Sequence, residues 1–125
     1  MHELSIARKL LNIVLSEVEK YGAKDVISVE VVIGELSFIR IEQFAFWFRV
    51  LSKGTALEKA KLHINVERGK VKCLSCGYEG PINVVDDPAW HVSFPSLSCP
   101  RCSSTVKIVS GRDCYVKCIR LVREQ

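Results

Sequence analysis

Apolar side chains recur at three- and four-residue steps through the first twenty residues. Leu4, Ala7, Leu11, Val14 and Val18 share one side, while Arg8, Lys9, Asn12, Ser16 and Glu19 share the other. That period predicts an amphipathic helix over residues 3–20, stopped by Gly22. Ile27, Val29, Val31 and Ile33 then alternate with Ser28, Glu30 and Val32, the period of a β-branched strand. Gly34-Glu35-Leu36-Ser37 breaks the alternation. A second helix is expected from Ile41 to about Lys53, with Ile41, Phe44, Ala45, Phe48 and Leu51 inward and Gly54 at its end. Phe46 and Val50 fall off that face, beside Glu42, Arg49 and Lys53. Either another part of the fold covers them or they form an apolar patch for a partner. A second strand is read where Leu62, Ile64 and Val66 alternate with His63, Asn65 and Glu67, and a third from about Cys114 to Val122.

Residues 69 to about 109 show no such period. The order helix–strand–helix–strand, with one late strand, gives an α+β fold: two helices packed on a small three-stranded sheet. A four-cysteine zinc module is inserted before the last strand. The expected division is an α+β domain from 1–68 and 110–125, with a zinc-binding domain at 69–109.

The inserted stretch carries the clearest chemistry. Cys73-Leu74-Ser75-Cys76 and Cys99-Pro100-Arg101-Cys102 lie 22 residues apart. Each CxxC turn aims two thiolates at one ion, and two turns complete a tetrahedron, the geometry of a structural zinc site. Gly77 follows the first pair, where a tight turn favours a residue without a Cβ. About 40 residues are too few to hold a core alone, so the metal supplies the missing stability. Four thiolates favour zinc over nickel, which prefers planar nitrogen donors. The rival reading, two redox-active pairs, lacks the strand-to-helix setting of such sites. A closed four-sulfur site leaves no position for substrate, and no nucleophile triad, phosphate loop or readable carboxylate pair appears. An enzyme is therefore not expected. Cys114 and Cys118 would share one strand face, too far apart to bind one ion together, and read as packing residues.

Composition narrows the field further. The chain has 125 residues, 48% hydrophobic and 26% charged, a globular profile. Its net charge of +4 is scattered rather than blocked. The rival class is a zinc-ribbon nucleic-acid or protein-binding module; between Gly69 and Gly111 four basic residues face three acidic ones, which does not support a phosphate-binding surface for nucleic acid. No run of about 18 apolar residues suggests a membrane span, and no basic start followed by an apolar run suggests a secretory leader. A cytoplasmic location is the expectation, and reduced cysteines agree with it.

The first residues gain meaning from their chemistry. The free amine of Met1, a backbone nitrogen, the His2 imidazole and a deprotonated amide of Glu3 can close chelate rings in a plane. Such a donor set suits Ni(II), and Cu(II) more tightly still. Taken alone, a histidine at position 2 is an ordinary solvated terminal residue, and Glu3 an ordinary first-turn carboxylate. Yet Met1-His2-Glu3-Leu4-Ser5, a helix, Gly34-Glu35-Leu36 and the two CxxC pairs, in that order and at this length, resemble the HypA family over essentially the whole chain. The resemblance implies nickel metallochaperones for [NiFe]-hydrogenase maturation, with some relatives serving urease. It implies transient Ni(II) held at Met1 and His2, with Glu3 giving a backbone nitrogen or supporting the site. Structural Zn(II) would sit on Cys73, Cys76, Cys99 and Cys102. Implied partners are a HypB-type GTPase and the hydrogenase large subunit, with neither nucleic acid nor membrane. A homodimer is compatible with the chain. His91 is a further candidate nickel ligand if the zinc module folds back over the terminus; otherwise it is a surface or packed histidine. His63, on the polar side of its strand, reads as solvated.

Overall fold

The computed structural model describes residues 2–82, 84–87, 92–95 and 98–123. These form two compact units, Met1–Ile33 with Ile39–Asn65 and Cys114–Gln125, and Gly34–Phe38 with Val66–Asp113.

The first unit is the expected α+β layer. Helix α1 (His2–Lys20) and helix α2 (Ile41–Ser52) pack together, and strands β1 (Ala23–Gly34), β2 (Lys61–Glu67) and β8 (Cys114–Arg123) form a sheet ordered β2-β1-β8. The core joins Ala7, Leu10, Leu11 and Val14 from α1, Val26, Val29, Val31 and Ile33 from β1, and Phe44, Phe48 and Leu57. Burial of each large apolar side chain in that set stabilises the unit by about 1.5–3 kcal/mol. Leu10, only 1% exposed, joins the predicted helix face because that face is wider than a strict three-four stripe. Both helices end as their sequences direct: Gly22 (φ +60) follows α1, and Gly54 (φ +77) lies just past α2.

Two irregularities alter the expected strand faces. In β1 the antiparallel register with β8 slips between Val26 and Ser28, leaving Ile27 as the extra residue. A residue inserted this way shifts the alternation, so Val26 is buried and Ile27 is 52% exposed, the reverse of the simple pattern. In β8 the slip falls at Lys117: Glu30 faces Cys118 while Val31 faces Val116. Cys114 therefore packs against the core, whereas Cys118 is exposed, lining a shallow polar recess with Ser28, Glu30, His63, Asn65 and Arg120. The expected shared face, and with it a packing role for Cys118, is corrected by this bulge. His63 is exposed, as its strand position predicts.

The second unit has more strands than the sequence period suggests. β3 (Lys70–Cys73) pairs antiparallel with both β4 (Glu79–Gly80) and β7 (Val106–Ser110), and β5 (Val84–Asp87) pairs with β6 (Val92–Pro95). Its small core is Leu36, Val71 and Ile82, with Tyr78, Val106 and Ile108 packed on it. The Gly34–Leu36 turn is bound tightly into this unit. Gly34 N–H donates to Asp113 O (3.0 Å), Glu35 N–H to Glu67 O (2.8 Å) and Leu36 N–H to Gly111 O (2.7 Å). The Glu35 carboxylate accepts from Gly69 N–H (2.9 Å), and the Glu67 carboxylate from Gly111 N–H (3.1 Å).

Candidate metal centres

β3 delivers Cys73 to a tight turn, and the same turn is built a second time at Cys99. Cys73 N–H donates to Tyr78 O (2.7 Å) and Gly77 N–H returns to Cys73 O (3.1 Å). At the second turn Cys99 N–H donates to Ser104 O (2.7 Å) and Ser103 N–H to Cys99 O (2.9 Å). Each turn also points an amide at sulfur: Cys76 N–H at Cys73 Sγ (3.5 Å) and Arg101 N–H at Cys99 Sγ (3.4 Å). Each turn passes through one left-handed residue, Gly77 (φ +78) in the first and Ser103 (φ +63) in the second. Glycine adopts that conformation freely, while serine does so at a cost of about 1 kcal/mol.

The two turns face each other and bring all four sulfurs within 4.8 Å of one another. Cys73 Sγ lies 3.5 Å from Cys102 Sγ, and Cys76 Sγ 3.6 Å from Cys99 Sγ. A zinc–sulfur tetrahedron with bonds of about 2.3 Å separates its sulfurs by about 3.8 Å, so the spacing fits a four-thiolate ion site. Cys73 and Cys99 are buried, Cys76 and Cys102 exposed. The thiols are electrostatically unequal. Hydrogen bonds from the Ser104 hydroxyl and backbone pull Cys102 down to about 6. Burial raises Cys99, but the Cys102 and Arg101 amides outweigh it and leave it lowered. The Tyr78 amide lowers Cys76, yet burial and the three neighbouring thiols push it up to about 11. Four sulfurs this close retain protons between them; a cation of suitable softness replaces those protons.

At the other end of the chain, α1 begins at His2. Met1 and His91 lie outside the described residues, and of His2 the helical backbone is described. Glu3 is buried, 7% exposed, and its carboxylate accepts a hydrogen bond from Arg40 N–H at 3.4 Å. Burial raises its pKa, but amide donors from its own backbone and Arg40 prevail and hold it below the usual carboxylate value. The link to Arg40, the residue capping the start of α2, is a role that the sequence left unread. Its one signal was an acid at the first turn of an amphipathic helix.

These features define a class: a small α+β protein with four cysteines gathered where they could hold one metal ion. A family profile described as "Hydrogenase/urease nickel incorporation, metallochaperone, hypA" matches residues 1–121. A hydrogenase maturation factor HypA from Methanopyrus kandleri is 39% identical, the match covering 97% of this chain and 93% of that protein. Its counterpart from Methanothermobacter thermautotrophicus is 37% identical over 99% of each chain. The solution structure of the Ni metallochaperone HypA from Helicobacter pylori, 22% identical, superimposes with a TM-score of 0.66 over 98% of both chains, a likeness in fold. The chain belongs to the HypA family of nickel-incorporation metallochaperones. Among the described residues no helix is long and apolar enough to cross a membrane.

Proposed function

We propose that this chain takes up Ni(II) at its first residues and delivers it for the maturation of a [NiFe]-hydrogenase. The single observation that carries the reading is that α1 begins at His2. The first amides of a helix have no intrahelical acceptor, so their nitrogens can be recruited without breaking a helical bond. The ligands are the Met1 amine, the His2 imidazole and backbone nitrogens up to that of Glu3. The positive end of the helix dipole opposes a cation, but deprotonated amides bring negative charge with them, and the Glu3 carboxylate adds to it. Glu3 thus supplies a backbone donor while its side chain serves the fold through Arg40. His91 is a further candidate ligand. Protonation of the imidazole or amine weakens the site, which suits a carrier that must release its cargo.

Cys73, Cys76, Cys99 and Cys102 would hold zinc as a structural clamp; four thiolates in a closed tetrahedron leave no position for chemistry. The proposed division of labour puts nickel on the α+β part and zinc on the CxxC part. Nickel passes to the hydrogenase large subunit with the help of a HypB-type GTPase, in the cytoplasm, and nucleotide hydrolysis belongs to that partner. The test is complementation. In a host lacking its own member of this family, the native chain restores nickel-dependent hydrogenase activity and His2→Ala does not. Full restoration by His2→Ala would reject the proposal.

A further inference from the structure

Two apolar surfaces stay open among the described residues of the first unit. On α2, Phe46 and Val50 remain exposed. The other surface is a groove between α1 and the outer edge of β8, and it carries the marks of its occupant. Ile13, Glu17 and Tyr21, one helical face in steps of four, form one wall, and Val116, Ile119 and Leu121 of β8 line the other. Ile13 is 44% exposed and Tyr21 46%. In the sheet order β2-β1-β8, β8 has a strand on one side only. Along its other side every second residue presents a backbone N–H and C=O to no ladder partner among the described residues.

Edge strands are commonly blunted by a charge, a bulge or short length. β8 has such a guard at one point: Lys117 is its bulged residue, with the ammonium 3.9 Å from a Glu30 carboxylate oxygen. Beyond it the slips fall on the β1 side, at Ile27 and Lys24, so residues 118–123 advance one per pair and leave a regular template about 20 Å long. Its two faces differ. Ile119 and Leu121 pack on the core that α1 shares, while Cys118, Arg120 and Val122 are exposed. A chain laid along the edge repeats this alternation. On the α1 side its side chains meet Ile119, Leu121, Ile13 and Tyr21, so apolar residues fit there. On the other side they stand beside Arg120, which no carboxylate pairs among the described residues, so acidic residues fit there. A second copy of β8 would bring cations alone, because Cys114–Arg123 holds Lys117, Arg120 and Arg123 but neither Asp nor Glu. Like charges oppose that pairing. We propose that the outer edge of β8 takes up an extended segment of another protein, alternately apolar and acidic, as an added strand of the sheet. This docking uses no nickel ligand and stands apart from the nickel reading.

The probe is an end-blocked octapeptide alternating valine and glutamate. It is titrated into the isotopically labelled, zinc-loaded, nickel-free full chain and followed by amide NMR. Residues 118–123 and the turns of α1 at Ile13 and Tyr21 should shift saturably, with a Kd of about 1 mM or tighter. Methylating the peptide's backbone nitrogens at alternate residues separates a ladder from a loose ionic contact. One phase of methylation should abolish binding and the other leave it unchanged, because only every second N–H of an added strand faces β8. The same peptide with lysine in place of glutamate should bind about fivefold more weakly, and Arg120→Glu should reverse that preference. Ile13→Asp, with unchanged circular dichroism, should weaken the glutamate peptide about tenfold. No saturable shift, shifts confined to α2 or to the second unit, two methylation phases that bind alike, or equal binding of the glutamate and lysine peptides would overturn the proposal.

Discussion

The Glu3 carboxylate and the Arg40 backbone N–H, 37 residues apart in sequence, are joined by a 3.4 Å hydrogen bond. The bond ties the first turn of α1 to the residue that precedes α2. Its carboxylate is held below its ordinary value of 4.5. A depressed acid contributes stability that is present above the unfolded value and lost as pH falls through the folded one. Glu3→Ala should therefore destabilise the nickel-free protein by about 1 kcal/mol at neutral pH, and the difference from the native chain should shrink progressively below 4.5. Urea unfolding followed by helical circular dichroism reports on the correct unit, because both helices lie in it. A difference that stays constant down to about pH 3 would contradict the assignment.

The second CxxC turn forces Ser103 into a left-handed conformation that its counterpart Gly77 adopts without strain. Ser103→Gly should raise the stability of the zinc-loaded second unit, by at most about 1 kcal/mol. Ser103→Val should lower both stability and zinc retention, because a β-branched residue resists that backbone shape. Chelator competition ranks the three proteins: glycine slowest to lose metal, serine next, valine fastest. Equal rates would show that the backbone at this position is not strained.

Cys73 lies at the end of β3, fully buried, with its sulfur 3.5 Å from that of Cys102. Cys73→Ala removes one of four proposed ligands and leaves a three-residue core of Leu36, Val71 and Ile82 to hold the unit. That core is too small to fold alone, so zinc content should fall from about one ion per chain to near none. Hydrogen exchange should accelerate across β3, β4 and β7 while α1 and β1 keep their protection. Uniform loss of protection over the whole chain would show that the two units do not fold separately.

Gly34 passes close against the backbone of Gly111 in the second unit. A Cβ there would run into the carbonyl of Gly111, which is backbone and cannot swing aside. Gly111 in turn has φ +81 and sits with its own Cβ position 2.7 Å from Gly69 Cα. Gly34→Ala should cost about 3 kcal/mol or more, the scale of a core clash that only a backbone shift relieves. Thermal unfolding within a degree or two of the native chain would refute the crossing.

The readable parts of this chain were those whose signal is local. Helix period marked α1 and α2, alternation marked β1 and β2, the stretch from about Cys114 to Val122 was read as the strand β8, and ligand spacing marked the four cysteines that the fold draws together. The unread parts depend on partners distant in sequence. Ile27 looks like a core residue until the bulge with β8 displaces it, and Cys118 looks like a companion of Cys114 until the slip at Lys117 separates them. β3, β4 and β7 are only two to five residues long, too short for a period, and are held by one another and by the turns at the sulfurs. Gly34-Glu35-Leu36 reads locally as a break, and only its hydrogen bonds to Glu67, Gly69, Gly111 and Asp113 reveal why those residue types stand there. The acid in the first turn of α1 was a local signal, but its partner Arg40 lies 37 residues away in sequence.

The nickel site is tested most directly by isothermal titration of three zinc-loaded proteins with Ni(II). These are the chain with its native start, His2→Ala, and a version with extra residues before Met1. The native chain should bind one nickel tightly. The other two should each lose at least about a hundredfold in affinity, as expected when a ligand or the chelating amine is removed, with zinc content unchanged. Equal nickel binding by all three proteins would contradict the central claim.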